Sequence, residues 1–585
     1  MAKEKVVIDP LTRIEGHLRI EMETEGGKIT KAWSETTQFR GIEEIVKNRD
    51  PRDVWAFVQR ICGVCTSVHA ITSVTAVENA IGSVVPEPAR LIRSLVLGSQ
   101  EIQDHVIHFY HLHALDFVNV ANAAKADPQK ALDFAHSIGS KWRGNNLKRF
   151  TEVRDTVQKV LDSGQLSVFT GGYWDHPDYR LPAEADLMCV AHYLDALEFQ
   201  RSMIRINTVF GGKNPHPNFL VGGMACSIDP NSSESINQVQ LDQVKSWVNE
   251  TIEFVNDCYY PDVLAVAGVY KDYFDIGATH PNYLAVGLAG ATYGGDPNKA
   301  RITSTHTAIK PGVIMDGDLT KVLPFDPKKI EEFVSSAWYS YPGGDDKGLT
   351  PDKGETKVNY TGPKPPYPNN WIGDEYGDKY TWCKAPRYDG KPMQVGPQAR
   401  IVLAYAQGFE PVVNMVNEAA SALGITPAQI NSTMGRTFAR AAEAKLSASL
   451  LLEDYNRLVE SIKAGNIDVF DATKWEPSSW PERCSGYAFV EVARGNLSHW
   501  VTINNGVVER YQAVVPTTWL ASGRDPKGQT GPYEESLMGN GNHPLVNPKE
   551  PLEPMRTIHS YDPCMSCAVH VLNPDGEIVT EVMTS

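Results

Sequence analysis

The sequence contains few cysteines, no long basic run and no long apolar run. Only nine cysteines occur among 585 residues, which is too few for a disulfide-stabilised scaffold. The net charge is −16 without a cluster of Lys and Arg, so we expect no nucleic-acid partner. No uninterrupted apolar stretch reaches the ~18 residues that span a bilayer. Any membrane attachment is therefore expected to come through a partner.

The first residues also lack the features of an export signal. The segment MAKEKVVIDPLTRIEGH has neither an apolar core region nor a twin-arginine pair. We therefore expect no export signal on the chain itself. The composition does provide 42% apolar and 22% charged residues, a balance typical of a globular protein with a large buried core.

Strand-like patterns occur towards both ends of the chain. Residues 6–40 alternate around Gly26-Gly27, which is typical of a β-hairpin. Strand-like runs return from Tyr487 onward, as YAFVEV, WVTINN and VVERYQAVV. These patterns predict an N-terminal β region over residues 1–52 and a C-terminal β region over residues 487–570.

The patterns between these regions are helical. Apolar residues recur at three- and four-residue spacing in segments from Pro86 to about Val118, from about Pro397 to Leu423, and from Thr426 to Gly465. In the last segment Thr426 and Gln429 are placed as a capping box, and an unbroken helix there would be roughly 57 Å long. We predict a helical bundle core over residues 53–260 and 397–465, with approximate bounds.

Residues 341–396 interrupt the helical pattern. The part up to Lys384 is rich in Pro, Gly, Asp and Lys, a composition that does not suit a regular element. We predict an irregular surface excursion there. Taken together, these patterns predict one α+β fold over residues 1–570 that is predominantly helical, with a long-helix bundle core and peripheral β-hairpins.

The cysteines are more informative in their placement than in their number. Four of them form two C-x-x-C pairs, Cys62/Cys65 and Cys564/Cys567. The other five occur singly and are expected to be small core residues: Cys189, Cys226, Cys258, Cys383 and Cys484.

Two C-x-x-C pairs can serve several purposes. Four thiolates can hold a structural zinc ion or a catalytic metal, and each pair could instead be a separate thiol redox centre. A zinc ribbon has its pairs about 15–20 residues apart, whereas Cys62 and Cys564 are far apart in sequence. A shared site would therefore have to be assembled by the whole fold, and the spacing alone leaves all three alternatives open.

The residues around the pairs narrow these alternatives. An ordered set of motifs resembles the large subunit of nickel–iron hydrogenases from about residue 6 to the end of the chain. The resemblance implies a catalytic subunit that reversibly splits H2 into protons and electrons. The motifs are Arg13-Ile-Glu-Gly-His17, Arg40-Gly-Ile-Glu43, Arg60-Ile-Cys-Gly-Val-Cys65, Asp104-His-Val-Ile-His-Phe-Tyr110, Gly211-Gly-Lys-Asn-Pro-His-Pro217, Lys379-Tyr-Thr-Trp-Cys-Lys384, Tyr511-Gln-Ala-Val-Val-Pro-Thr-Thr-Trp519 and Asp562-Pro-Cys-Met-Ser-Cys-Ala-Val-His570.

The resemblance also implies metal ligands, with the two terminal β regions meeting at the metal site. Cys62 and Cys564 would bind nickel terminally. Cys65 and Cys567 would bridge nickel to an iron that carries cyanide and carbon monoxide. Three further residues match the family's magnesium ligands: Glu43, His570 and, through its main-chain carbonyl, Ala513.

Other matches imply catalytic roles. Arg494 would lie over the open face of the metals, held by Asp104 and Asp562, although Ala493 replaces the proline that usually precedes this arginine. Pro516 and Thr517 match residues that contact cyanide. Because H2 is apolar, a metal pair must polarise it while a base takes the proton. We expect Cys564 to take that proton and Glu15 to relay it, with Arg494 as the alternative base.

No further cysteine set remains for an iron–sulfur cluster, so a partner must carry the electrons away. By resemblance it is an iron–sulfur small subunit that docks near Cys65 and His69, with His216 at the interface. The family also implies nickel chaperones, an endopeptidase that removes residues 571–585, and a membrane electron-acceptor subunit. We expect a location on the periplasmic side of the cytoplasmic membrane after co-export with the small subunit, with the cytoplasm as the alternative.

Two relatives of this family could share much of the pattern. A member of the respiratory complex I lineage lacks the full cysteine set, whereas all four cysteines are present here. An H2-sensing regulatory subunit keeps the metal site but typically lacks a cleavable tail. The sequence therefore favours the catalytic subunit over both, and over a zinc-stabilised structural protein.

Overall fold

The computed structural model describes residues 3–165, 176–294, 308–362 and 377–568. Within these ranges the fold is α+β, with more helix than strand. No helix in this part of the chain is long and apolar enough to cross a membrane. His570 and the predicted cleavable segment 571–585 lie outside the described residues.

The strands form small antiparallel sheets. The N-terminal sheet has the order β1-β2-β3, and the largest sheet has the order β12-β11-β10-β5. The strands are β1 Glu4–Ile8, β2 Leu18–Glu25, β3 Lys28–Thr36, β4 Tyr283–Ala285, β5 Thr292–Tyr293, β6 Gly312–Ile314, β7 Leu323–Pro324, β8 Ile330–Phe333, β9 Ala385–Tyr388, β10 Arg483–Val492, β11 Gly495–Asn504 and β12 Val507–Val514.

The helices occupy most of the remaining described chain. They are α1 Ile42–Ile45, α2 Val54–Val58, α3 Val68–Ile81, α4 Glu87–Ile107, α5 Val120–Ala123, α6 Pro128–Ser137, α7 Leu147–Asp162, α8 Ala183–Gly211, α9 Gln238–Phe254, α10 Tyr260–Val269, α11 Pro397–Ala406, α12 Glu410–Leu423, α13 Thr433–Lys463, α14 Pro516–Leu520, α15 Pro532–Met538, α16 Leu552–His559 and α17 Met565–Ala568.

The predicted N-terminal hairpin is confirmed. The predicted C-terminal β region over residues 487–570 is confirmed only as far as Val514, because the described chain beyond it forms the short helices α14 to α17 and no further named strand. Gly26 and Gly27 have φ values of 65° and 74°, so they form the tight turn between β2 and β3 that a side chain would strain. In the C-terminal region β10 pairs with β11 along its whole length, ending at the pair Val492 and Gly495. The connection between these two strands is therefore only Ala493 and Arg494.

The long helices pack against one another and against the large sheet. Helix α4 contacts both α8 and α13, and α3 lies on β10 and β11. Small buried side chains on α13, among them Ala441, Ala444 and Ala448, allow neighbouring backbones to approach closely. At its end α4 continues as a π-helical turn over His108–His113, so the predicted helix from Pro86 to Val118 is regular only in its first part.

Two predicted helices begin or continue differently in the structure. The capping box of Thr426 and Gln429 exists, but it caps a 3-10 turn at Pro427–Ile430. Helix α13 begins later, where Ser432 is extended and accepts a hydrogen bond from the Gly435 amide at 3.0 Å. The predicted helix Pro397–Leu423 is interrupted at Gly408, which has a φ of 72° that continues a helix poorly.

The predicted surface excursion is wrong for much of its described part. Strand β9 pairs with β8, and Trp382 stacks on Phe39 with ring centroids 4.8 Å apart. Lys384 and Arg387 are buried, because ion pairs and carbonyl oxygens satisfy their charges. The composition of residues 341–396 predicted an irregular backbone. It did not predict that aromatic and cationic side chains would bury part of the segment.

The single cysteines follow their prediction only in part. Cys189, Cys258 and Cys383 are buried. Cys226 and Cys484 are only half-buried, so the expectation of a core position is wrong for these two. Cys484 lies near the outer end of β10, where the sheet meets solvent.

The close packing at the start of α13 can be tested at Gly435. A Cβ there would lie 2.2 Å from the Ile430 carbonyl oxygen, so Gly435→Ala is expected to destabilise the fold by about 1–3 kcal/mol. In α10, a Cβ on Gly268 would meet nothing within 4 Å, and Gly268→Ala should be neutral or stabilising by up to about 1 kcal/mol. Denaturant unfolding followed by circular dichroism measures both; equal midpoints for the two variants would contradict the prediction.

Candidate metal centre

The two distant cysteine pairs meet in one buried pocket. The Sγ atom of Cys564 lies 3.4 Å from that of Cys62 and 3.9 Å from that of Cys65. All three residues are buried. Cys567 lies on α17, but its side chain is outside the described part of the structure. Because sulfur atoms from opposite ends approach this closely, the alternative of two separate redox pairs is wrong.

Backbone geometry brings the thiols of the first pair together. Cys62 is extended, with a φ of −144° and a ψ of 138°, directly after a 3-10 turn. The chain then turns into α3, and the Cys65 amide donates to Cys62 Sγ at 3.3 Å. Such an amide donor stabilises the thiolate form, which is the form that binds metals.

The second pair is positioned by the N-terminal segment. The Glu15 amide donates to the Pro563 carbonyl at 3.2 Å, and the Met565 amide donates to the Glu15 carbonyl at 2.8 Å. Gly16 allows this approach, since a Cβ there would lie 2.7 Å from the Ser566 nitrogen. Strand-like hydrogen bonds thus fix Cys564 beside Glu15.

Arg40 joins the two cysteine segments from a third direction. Its guanidinium donates to the carbonyls of Arg60 at 3.1 Å and Ser566 at 2.9 Å, and also to that of Ile61. One cation therefore holds the backbone before Cys62 and the backbone after Cys564. Its role was not predicted, although Arg40 is part of a quoted motif.

Glu15 is placed to exchange a proton with a thiol. The Cys564 thiol donates to Glu15 Oε2 at 3.3 Å, and the Ser566 amide donates to the same oxygen at 2.9 Å. Burial raises the pKa of Glu15, and the nearby Cys62 raises it further. Glu15 and Cys564 therefore lie within hydrogen-bond distance of each other, and the predicted relay role of Glu15 stays a prediction.

Arg494 lies on the other side of the pocket between two carboxylates. Its Nη1 atom is 2.9 Å from Asp104 Oδ2 and its Nη2 atom is 3.0 Å from Asp562 Oδ2, which are charge-assisted contacts of good length. Burial lowers the pKa of Arg494, but Asp562 and Asp104 raise it more, so it ends well above its ordinary value. The two predicted carboxylates therefore hold the guanidinium in one position.

The pocket between these groups is small and mostly apolar. Thiols, Arg494 and Pro516 line it together with apolar residues, which are Val68, Val492, Leu497 and Val515. Thr517 Oγ1 accepts a hydrogen bond from the Cys564 amide at 3.3 Å, which leaves its O–H to donate. Arg494 Nε is buried and has no hydrogen-bond partner in the described part of the chain. These two donors could bind a ligand that accepts hydrogen bonds.

A second polar cluster lies at the predicted magnesium residues. Glu43 Oε1 accepts from the Ala513 amide at 2.9 Å, and its other oxygen accepts from Thr356. Glu332, which was not predicted, is buried nearby with Oε2 lacking a hydrogen-bond partner in the described chain. Burial raises the pKa of Glu332 to about 7, although Lys384 lowers it. Hard oxygen donors such as these suit magnesium.

Sequence comparison with known proteins agrees with this geometry. A family model for nickel-dependent hydrogenase matches residues 40–570, and one described as HoxL-like matches residues 5–39. The uptake hydrogenase large subunit of Rhizobium leguminosarum is 44% identical, covering 99% of this chain and 97% of the relative. The hydrogenase-1 large chain of Escherichia coli is 43% identical with the same coverage.

Solved structures show the same similarity in three dimensions. The [NiFeSe]-hydrogenase of Dm. baculatum has a TM-score of 0.73 and 30% identity, covering 97% of this chain and 100% of that chain. The Ni-Fe-Se hydrogenase of D. vulgaris Hildenborough has a TM-score of 0.72 and 28% identity, with the same coverage. The chain therefore belongs to the nickel-dependent hydrogenase family and is the catalytic large subunit of such an enzyme.

Proposed function

We propose that this hydrogenase subunit holds its metals between the two cysteine pairs. Cys62 and Cys564 would bind nickel terminally, and Cys65 and Cys567 would bridge it to an iron with cyanide and carbon monoxide ligands. The observation that carries the proposal is the approach of Cys62, Cys65 and Cys564 within 4.8 Å of one another beneath Arg494. Thiolates select soft metals of this kind.

The cyanide and carbon monoxide ligands are supported by the pocket lining. Arg494 Nε and the Thr517 hydroxyl are donors available to a ligand, as described above, while Pro516 and the valines exclude water. When bound, the nickel–iron group would supply the electrophilic centre that polarises H2 and accepts its electrons.

Residues beside this group would accept the proton released from H2 and pass it on. The Cys564 thiolate takes it, and Glu15 Oε2, at 3.3 Å, receives it within hydrogen-bond reach. Arg494 is less suited to be the base, because its terminal nitrogens are engaged by Asp104 and Asp562. Its fixed positive charge would instead stabilise negative charge that develops in the pocket.

We further propose a magnesium site at Glu43, the Ala513 carbonyl and His570. Gln512 Nε2 donates to Glu43 Oε2 at 3.3 Å, and Lys384 Nζ lies 2.8 Å from Gln512 Oε1 and 3.8 Å from Glu332 Oε2. Gln512, Lys384 and Glu332 would therefore lie beside the cation. The Glu43 carboxylate and the Ala513 carbonyl would supply the hard oxygen atoms that this cation prefers.

Electrons would leave to a separate iron–sulfur small subunit. In the part of the chain that the structure describes, no second group of cysteines is close enough to hold a cluster. The docking face would include Val64, which is 37% exposed, and His216, whose Nε2 would lie 3.8 Å from a Cβ on Gly63. Cys65 and His69 follow Val64 in the sequence, and both are buried.

Maturation and location follow the same proposal. Nickel chaperones would load the pocket and an endopeptidase would then remove residues 571–585. The mature pair would work on the periplasmic side of the cytoplasmic membrane, joined to a membrane electron acceptor, and the cytoplasm is the alternative location. The relatives named uptake hydrogenase support an H2-consuming role.

The shared pocket can be tested without metal. Mild oxidation of the metal-free chain should join the peptide containing Cys62 and Cys65 to the peptide containing Cys564, because their Sγ atoms are 3.4 and 3.9 Å apart. Peptide mapping by mass spectrometry under non-reducing conditions detects the link. The Cys62→Ser, Cys65→Ser double variant should lack it. Disulfides formed only within each pair would contradict a common pocket.

The proton relay can be tested at Glu15. Glu15→Gln keeps an acceptor oxygen beside Cys564 but cannot exchange protons, so H/D exchange with H2 should fall by roughly 10²-fold or more. Nickel and iron contents should stay unchanged. Glu44→Gln is the matched control, because Glu44 is half-exposed and pairs with Lys47 at 2.7 Å. If the Glu15→Gln variant exchanges H and D as fast as the unsubstituted enzyme, the relay proposal is wrong and Arg494 becomes the candidate base.

The magnesium proposal makes a separate prediction. Glu43→Gln removes the charge of the only carboxylate proposed as a direct ligand, so magnesium affinity should fall about 10- to 100-fold or more. Elemental analysis after dialysis measures the loss, and Glu44→Gln is again the control. Equal magnesium contents in the two variants would place the cation elsewhere.

A further inference from the structure

The turn that carries Arg494 needs support from outside itself. It consists of Ala493 and Arg494 alone, between the paired residues Val492 and Gly495. A proline at position 493 would fix φ near about −65°, and alanine does not. Gly396 packs against this turn, since a Cβ there would lie 2.7 Å from the Arg494 carbonyl oxygen. Contacts from neighbouring residues must therefore fix the backbone at Ala493.

Two buried arginines reach the Ala493 carbonyl. Arg440 Nη1 donates to it at 3.3 Å and Arg400 Nη2 at 3.5 Å. Both side chains lie in the core, Arg440 on α13 and Arg400 on α11. Hydrogen bonds from a charged donor are stronger than neutral ones, so the carbonyl is held from the helical side.

Arg400 secures the strands behind the turn. Its Nη1 atom donates to Glu491 Oε2 at 2.7 Å, and Glu491 Oε1 accepts from Asn496 Nδ2 at 2.8 Å. Glu491 and Asn496 face each other in the register of β10 and β11. Arg400 also contacts both oxygens of Glu443 at 2.6 Å. Arg400 therefore stabilises the β10–β11 hairpin next to its turn and connects it to α13.

Arg440 instead connects the tip of the turn to the second cysteine segment. Its Nη2 atom donates to the Tyr561 carbonyl at 2.7 Å. Its Nη1 atom lies 3.7 Å from Asp562 Oδ2, the oxygen that Arg494 Nη2 approaches at 3.0 Å. One guanidinium thus spans the residue before Arg494 and the carboxylate that holds Arg494.

Burial of these ionisable groups makes the position of Arg494 sensitive to substitution of any one of them. Arg440, Arg494, Asp104 and Asp562 are all at most 4% exposed, so two guanidinium groups and two carboxyl groups share one buried region. Burial raises the pKa of Asp104 to about 7, although Arg494 lowers it. Removing one member of such a set leaves an uncompensated buried charge. Asp562 is shared between two arginines, so a change at Arg440 alters its hold on Arg494.

We propose that Arg440 is a positioning residue for Arg494. It holds the Ala493 carbonyl and shares Asp562, and so supplies the rigidity that Ala493 itself does not give the turn. This inference rests on the proposed role of Arg494 over the metal pocket. Arg440 itself touches no reacting group.

The test replaces Arg440 with lysine, which keeps the charge but loses the planar fork. In the assembled, metal-loaded enzyme, kcat for H2 oxidation should fall by about tenfold to a hundredfold, with KM little changed. The infrared bands of the cyanide and carbon monoxide ligands should shift. Amide hydrogen exchange in residues 483–504 should speed up, which can also be measured on the chain without metal.

Arg436→Lys is the matched control. Arg436 lies one turn earlier on α13, is equally buried at 3% exposure, and bonds Ser560 Oγ at 2.8 Å and the Gly277 carbonyl at 2.9 Å. It should lower the unfolding midpoint without moving the infrared bands or the exchange of the hairpin. Adding Ala493→Pro to Arg440→Lys should restore part of the lost kcat.

Different outcomes test the positioning role of Arg440 and the proposed role of Arg494 over the metal pocket. If Arg440→Lys matches Arg436→Lys in kcat, infrared bands and hairpin exchange, Arg440 is only structural and the inference fails. The same holds if Ala493→Pro restores nothing. If Arg494→Lys itself leaves kcat and the infrared bands unchanged, the proposed role of Arg494 fails, whatever the result at Arg440.

Discussion

The backbone contact between Glu15 and residues 563–565 is the constraint on which the site depends. It joins the two ends of a long chain by hydrogen bonds of 3.2 and 2.8 Å. It requires Gly16, because the Ser566 backbone occupies the space of a Cβ. Arg40 adds a third attachment to both cysteine segments. A pocket made in this way exists only in the complete fold, unlike a zinc knuckle that closes within one short loop.

Buried charge is the second feature of the site, and it is balanced locally. Arg494 and Arg440 face Asp104 and Asp562, while Arg400 faces Glu443 and Glu491. Such pairs add little net stability compared with apolar residues, but removing one partner is costly. Their value here is geometric. They fix the orientation of a guanidinium over an apolar pocket in which a freely moving cation would sample many positions.

The sequence was sufficient for features that depend on local pattern. The Gly26-Gly27 hairpin and the C-terminal strands follow from alternation, and the meeting of Cys62, Cys65 and Cys564 follows from the family motifs. Patterns failed where a competing local interaction decided the outcome. Ser432 offered α13 a later cap than Thr426, and aromatic packing buried part of the excursion that its Pro and Gly content placed at the surface. Cys567, as a side chain, and His570 lie outside the described residues.

No local sequence signal predicted the contacts of Arg440, Glu332 or Arg40, although Arg40 belongs to a quoted motif. Each acts on residues that are distant in sequence, so neither spacing nor periodicity marks it. An arginine on a helix is most simply read as part of a solvated face, whereas Arg440 is 3% exposed. Only three-dimensional contacts distinguish these two cases.

Asp562 has a left-handed backbone, with a φ of 58°, in addition to its contact with Arg494. Among residues with side chains, Asp and Asn enter that region most readily, and of these only Asp carries the negative charge that Arg494 and Arg440 share. Glycine and asparagine would each satisfy the turn and leave two cations facing each other. Aspartate is therefore the amino acid that meets two unrelated requirements at this position, one steric and one electrostatic.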